Sequence, residues 1–204
     1  MTREATFTDR VRWASKFLTH GRKIASLTPS SRWLSRAMCR EVDSTRPQII
    51  LELGAGMGPV TSVIAKMMHP ESRLIAIEID PDLHSVAARR CPDVEVVLGS
   101  AADLDAMLDE RKIEEVDCLL SCLPTPSLPK SVNHGILDFW SRRCRSEIFT
   151  QITQIPWYYL PMYQRAFNHV DFQLVTRNIP PAGVYHCRDL RDDYSTDARL
   201  PGKA

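Results

Sequence analysis

The chain has 204 residues, 44% of them hydrophobic and 25% charged, with a formal net charge of +1; these proportions exclude an intrinsically disordered chain and predict one domain with a full core. No window approaches the ~18–20 apolar residues that a membrane-spanning helix needs, and no signal-peptide succession opens the chain, so a cytoplasmic location is expected. Six cysteines without a C-x-x-C pair lack the spacing of a zinc site or a redox dithiol, which predicts reduced, mostly buried thiols and no metal.

Residues 1–40 hold nine Lys and Arg against two acids, a local net charge of +7 that leaves −6 for the remainder. Phe7, Val11, Ala14 and Leu18 share helical spacing, while Arg3, Arg10, Arg12, Lys16, Arg22 and Lys23 are placed to face anionic headgroups. The pattern predicts a basic, amphipathic helical cap over residues 1–46 that lies on the inner face of the cytoplasmic membrane. An ordinary helix packed on the domain, or an RNA-binding face, fits the same pattern, although the net-acidic remainder argues against nucleic acid.

From Gln48 onward short apolar runs alternate with amphipathic stretches, the mark of βα units wound into a parallel sheet. Strands are predicted at Gln48–Leu53, Arg73–Glu78, Val94–Leu98, Val116–Ser121 and Ser146–Thr153. Helices are predicted at Val60–Met68, Pro81–Arg90, Asp103–Glu110 and Val132–Arg143, the last with Ile136, Leu137 and Trp140 on one face. A final antiparallel pair is predicted at Asp171–Asn178 and Gly183–Cys187. The expected architecture is an α/β, Rossmann-like, mostly parallel seven-stranded sheet with helices on both faces, over residues 47–188, followed by a polar tail at 189–204.

The first strand ends in Leu53-Gly54-Ala55-Gly56-Met57-Gly58, and only glycine lets a strand turn sharply and bring its backbone against a ligand without a Cβ clash. Glu78 ends the next strand, about twenty positions on, where a carboxylate accepts hydrogen bonds from a ribose diol. The spacing is G-x-G-x-G rather than the G-x-G-x-x-G of dinucleotide enzymes, and Glu52 stands two residues before the first glycine. This stretch resembles the E/D-x-G-x-G-x-G motif of class I methyltransferases. The resemblance implies S-adenosyl-L-methionine as cofactor, held by Glu52, Gly54, Gly56, Gly58, Glu78 and Ile79. It further implies that Ser100 and Ala101 flank the adenine, that Ser121 also contacts the cofactor, and that the run from Ser121 through Leu123 and Pro124 lies where the acceptor atom meets the methyl group. Asp103 fits either an adenine contact or a helix N-cap.

The order of Phe17-Leu18, Leu27-Thr28-Pro29-Ser30-Ser31, Ile75 to Asp80, Ser121-x-Leu123-Pro124, Ser127-Leu128-Pro129 and Asn178-Ile179-Pro180-Pro181-Ala182 is similar to the bacterial phospholipid N-methyltransferases. Their substrates are phosphatidylethanolamine and, in relatives, ornithine lipid. The fifth strand departs from the family's Gln-Phe-Thr-Tyr-like pattern, reading Thr150-Gln151-Ile152-Thr153-Gln154, and no acid follows Gly99 directly. The resemblance implies a lipid substrate, with Pro29, Ser30 and Ser31 closing over the cofactor or capping the next helix. Tyr158 and Tyr159, with Trp157, offer aromatic faces to a methylated ammonium, or else pack in the core. Arg188 is a candidate for a lipid phosphate. A free amine must shed a proton before transfer, and His20, Tyr159 and His186 are the candidate acceptors, undistinguished by spacing. The alternatives are an RNA or small-molecule methyltransferase on the same fold and a non-catalytic lipid-surface binding protein. An Asn-Pro-Pro-Tyr-type motif, the mark of base-amine methylation, is absent where Ser121-Cys122-Leu123-Pro124 stands.

Overall fold

The computed structural model describes residues 30–125, 128–155 and 157–191. The expected N-terminal helix, with His20 and Pro29, and the tail from residue 192 onward lie outside the described residues.

The first described helix, α1 (Arg32–Met38), opens on Ser31, whose hydroxyl accepts from the Leu34 N–H at 3.3 Å. Seven residues do not sustain a helix in isolation. Burial of Leu34 and Met38, each worth ~1.5–3 kcal/mol, fixes it to the sheet. Strand β1 (Ile49–Leu53) runs into the glycine turn, and helix α2 (Thr61–Met67) follows. Strand β2 (Arg73–Glu78) leads to α3 (Pro81–Arg90), where proline occupies the first turn and the Asp80 carboxylate accepts from the Asp82 and Leu83 amides. Strand β3 (Glu95–Leu98), helix α4 (Leu104–Asp109), strand β4 (Val116–Ser121) and helix α5 (Lys130–Arg143) complete the regular alternation. Strand β5 (Cys144–Thr153), helix α6 (Leu160–Ala166) and the pair β6 (Phe167–Val175) and β7 (Ala182–Leu190) close the chain.

The seven strands lie in the order β3-β2-β1-β4-β5-β7-β6, and β7 alone runs antiparallel, to both β5 and β6. Alternation along each strand divides the core. Leu51, Leu53, Leu119 and Phe149 face α4, α5 and α6, while Ile50, Cys118, Leu120 and Val184 face α1 and α2. Because α1 contributes Leu34, Ala37 and Met38 to that second layer, it belongs to the domain core rather than to a separate cap.

Three expectations need correction. Helix α6 was not foreseen, because the regular alternation weakens after Pro156; Pro161 is tolerated in it because it sits in the first turn, where its missing N–H would have no helical partner. Strand β6 begins at Phe167 rather than Asp171 and stops at Val175, since Asn178 leaves the ladder to bond elsewhere. Strand β7 reaches Leu190, which pairs with Phe167, so Asp189 and Leu190 are strand rather than tail.

Candidate active site

Strand order reverses between β1 and β4, and a ligand crevice is expected outside the C-terminal ends of the strands at such a switch point. The register sets the parts side by side there: Leu53 pairs with Ile77 on one flank and with Ser121 on the other, and Ser121 pairs with Gln151. The Gly54 and Ala55 amides donate to the Ile77 carbonyl, the Cys122 amide to Leu53, and the Gly99 amide to Glu78. Gly54, Gly56, Gly58, Glu78, Ile79, Ser100, Ala101, Ser121, Leu123 and Pro124 are thereby gathered at one end of the sheet.

All three loop glycines have positive φ, of 78°, 57° and 80°. A Cβ on Gly54 would lie 2.8 Å from Leu123 Cδ2, and one on Gly58 would lie 3.4 Å from the Ala87 Cα. A Cβ on Gly56 would meet nothing within 4 Å. The open side of the turn is therefore at Gly56, where a bound molecule can approach the backbone.

The Glu78 carboxylate accepts from Gly56 N at 2.7 Å through one oxygen, and from Ile79 N at 2.9 Å and Asp80 N at 3.0 Å through the other. It ties the end of β2 to the glycine turn, and the oxygen bonded to Gly56 keeps a lone pair for a hydroxyl. Ser100 accepts from the Ala102 amide at 3.1 Å and shapes the turn into α4, with Asp103 at the N-cap position. Glu52 is fully buried beneath the loop, on the α1 and α2 side, and neither of its carboxylate oxygens has a hydrogen-bond partner among the described residues. Burial pushes its carboxyl up to about 7, neighbouring Thr61 opposing the shift and Glu78 adding to it. These features fit a sulfonium nucleoside: a backbone opening that a side chain would fill, a ribose acceptor beside it, and a buried acid beneath.

On the acceptor side, Leu123 packs over Gly54 and its carbonyl accepts from Gln151 Nε2 at 2.9 Å; the same nitrogen donates to Ile152 O at 2.8 Å. A small cavity of about 20 Å³ lies beside Ser121, with Thr125, Asn133, Gln151 and Tyr163 as its polar lining. Asn133 Nδ2 donates to Thr125 O at 3.0 Å. Sequence reading missed Gln151 and Asn133.

Tyr158 is exposed, whereas Tyr159 is buried against it with ring centroids 4.9 Å apart. Burial, with Tyr158 and Tyr185 nearby, pushes the Tyr159 phenol up to about 12, so it remains a donor at neutral pH. Ser31 is committed to the α1 cap, and its amide donates to Asn178 Oδ1 at 2.9 Å. Two candidates are not brought to this end. Arg188 pairs with Ile148, which is level with Cys118 and Ile50 in the first half of β4 and β1, and is ion-paired with Glu41, towards the opposite end of the sheet. It lines a hollow of about 490 Å³ with Arg40, Glu41, Asp43 and Arg46, whose charges pair with one another and with Asp171 and Asp117. His186 lies on the same side of β7 as Val184, buried, 3.8 Å from Glu41 through Nδ1. Burial, and next Arg40, hold it down at about 4 against Glu41 and Asp171. Both were misplaced because strand sequence does not reveal which end or face a residue occupies.

No protein-family model matches the chain. The chain is 41% identical over 183 residues to the ornithine lipid N-methyltransferase of Singulisphaera acidiphila, covering 88% of this chain and 95% of that protein. Solved structures share the fold at lower identity. Haemonchus contortus phosphoethanolamine N-methyltransferase 1 superposes with a TM-score of 0.61 at 12% identity, over 94% of this chain and 52% of that one. The O-methyltransferase TomG of Streptomyces achromogenes gives 0.59 at 16%, over 93% and 91%.

Proposed function

The chain belongs to the ornithine lipid N-methyltransferase family, and on that premise we propose that it methylates the free amine of a membrane-lipid headgroup, that of ornithine lipid or of phosphatidylethanolamine. It is an S-adenosyl-L-methionine-dependent methyltransferase. The observation that carries the acceptor reading is the length of the likeness, which spans the glycine turn, the acceptor loop and the β6–β7 connection alike.

The bound cofactor supplies a methyl group made electrophilic by its sulfonium. Within this reading Gly56 admits the cofactor to the backbone, Glu78 orients the ribose, and Ser100 and Ala101 flank the adenine. Leu123 and Pro124, held by Gln151, form the wall against which an amine is placed ~3–3.5 Å from the methyl carbon. Among the described candidates neither Tyr159, a phenol at neutral pH, nor His186, on the far face of β7, takes the amine proton, so the proton passes to solvent at the open mouth. Tyr158, exposed beside that mouth, offers its ring face to the methylated ammonium. Ser30 enters at the same end of the sheet. The chain associates peripherally with the inner membrane face through the basic N-terminal residues; among the described residues no helix is long and apolar enough to cross a membrane.

The test is lipid mass spectrometry of a host that makes both lipids, with and without the protein expressed. Gains of one, two or three methyl groups on either lipid are expected and identify the headgroup. No gain, with cofactor binding intact in calorimetry, transfers the activity to an RNA or a soluble acceptor.

A further inference from the structure

Among the described residues seven large apolar side chains are exposed: Trp33, Leu98, Ile155, Trp157, Tyr158, Leu174 and Ile179. Scattered singly, exposed apolar side chains are ordinary; gathered at one end, they mark an interaction surface. Every one of these lies at the glycine-turn end of the sheet. Leu98 ends β3 at the cofactor edge. The other six lie over the acceptor half, where Thr153, Gly183 and Leu174 form one row across β5, β7 and β6. Ile155 and Trp157 follow that row, Trp157 packing 5.8 Å from Phe172, and Ile179 projects from the β6–β7 connection with 79% of its surface exposed. Trp33 joins them through α1, since the Ser31 amide bonds to Asn178. The opposite end carries the paired charges of Arg40, Glu41, Asp43, Arg46 and Arg188 instead.

We propose that this rim, with Ile155, Trp157, Leu174 and Ile179 at its centre and Trp33, Arg32 and Arg177 beside it, is a docking face for an anionic lipid bilayer. Two observations choose a bilayer over a protein partner. Residues 153–155, 157–160, 172–182 and 30–35, which build the rim, contain no Asp or Glu, while Arg32 and Arg177 sit 3.9 and 5.4 Å from the Trp33 ring centroid. Tryptophan and arginine in that arrangement suit a headgroup layer, the ring at the acyl boundary and the guanidinium on phosphate. The described fold also begins at this rim, at Ser30, and residues 1–29 that precede it in sequence hold six Lys and Arg against two acids. Docked this way, the acceptor side of the crevice opens onto the hydrated headgroup layer, whose water takes up the amine proton. The purpose of the face rests on the lipid-acceptor reading, but its existence is measured without methyl transfer, so either can fail alone.

The experiment is partitioning of the full chain onto vesicles of equimolar phosphatidylglycerol and phosphatidylcholine, comparing the unaltered protein with the triple substitution Ile155→Ser, Leu174→Ser, Ile179→Ser. Vesicle affinity is expected to fall by at least about tenfold, with S-adenosylmethionine affinity unchanged as the check on folding. Brominated acyl chains should also quench tryptophan emission on binding, and the quenching should diminish in Trp157→Phe. Unchanged partitioning overturns the proposal, as does vesicle binding without quenching of Trp157. Tighter vesicle binding by the triple variant overturns it too.

Discussion

A side chain at Gly54 would collide with Leu123, whereas one at Gly56 would enter open space, so the two glycines are required for different reasons. Gly56→Val fills the opening through which the proposed site admits the cofactor, and its φ of 57° costs a β-branched residue ~1–3 kcal/mol of backbone strain. The expected outcome is a fold that survives with lowered stability and a cofactor affinity weakened more than about 100-fold, or ~2.7 kcal/mol, by calorimetry. Retained affinity would displace the cofactor from this turn. The positions of Gly54, Gly56, Gly58 and Glu78 at one end of the sheet were legible from sequence because they are local: each follows from a strand end and a spacing. Gln151 was not, because its amide acts on Leu123, 28 residues away, and only the β4–β5 register brings them together. Arg188 and His186 were misread for the complementary reason, since an unpaired-looking Arg or His in a strand gains its meaning from Glu41, 147 residues away for Arg188.

The elements were most legible where one period held throughout. Strands β2 and β4 and helix α3 have the boundaries that their apolar runs and the Asp80-Pro81 start imply. Legibility failed after Pro156, where the short helix α6 is held by tertiary packing of Tyr163 and Ala166 against Phe149 and Phe167 rather than by its own pattern. Helix α1 is the same kind of element. Its start depends on Ser31 and on Asn178, whose Oδ1 holds the Ser31 amide while its Nδ2 donates to Pro180 O at 2.7 Å. Ser31→Ala should therefore lower stability by ~1 kcal/mol in urea denaturation. Combined with Asn178→Ala, the loss should differ from the sum of the two single losses, because both side chains secure one junction. Strict additivity would mean that the β6–β7 connection does not position α1.

At the scale of the whole molecule, Glu52 and His186, two buried groups that change charge between about pH 4 and pH 7, lie on the face of the sheet that α1 and α2 cover, and they act on stability in opposite directions. His186, held at about 4 against an ordinary 6.5, stays neutral in the folded chain while the unfolded chain takes up a proton, so between these values stability rises with pH. Glu52, raised from 4.5 to about 7, keeps its proton in the folded chain while the unfolded chain has lost it, so between those values stability falls as pH rises. Each contributes a change of about 2 kcal/mol between pH 5 and pH 7, and the two nearly cancel. The cofactor-free protein should therefore show little net pH dependence from this pair, while each single variant uncovers the other group. Glu52→Gln leaves His186 and should become more stable by about 2 kcal/mol from pH 5 to pH 7. His186→Gln leaves Glu52 and should become less stable by a similar amount over the same interval. Urea denaturation of the three proteins at both pH values reads these slopes directly. Equal slopes in both variants would mean that Glu52 and His186 titrate alike in the folded and unfolded chain, and that the buried layer holds neither in the state its surroundings demand.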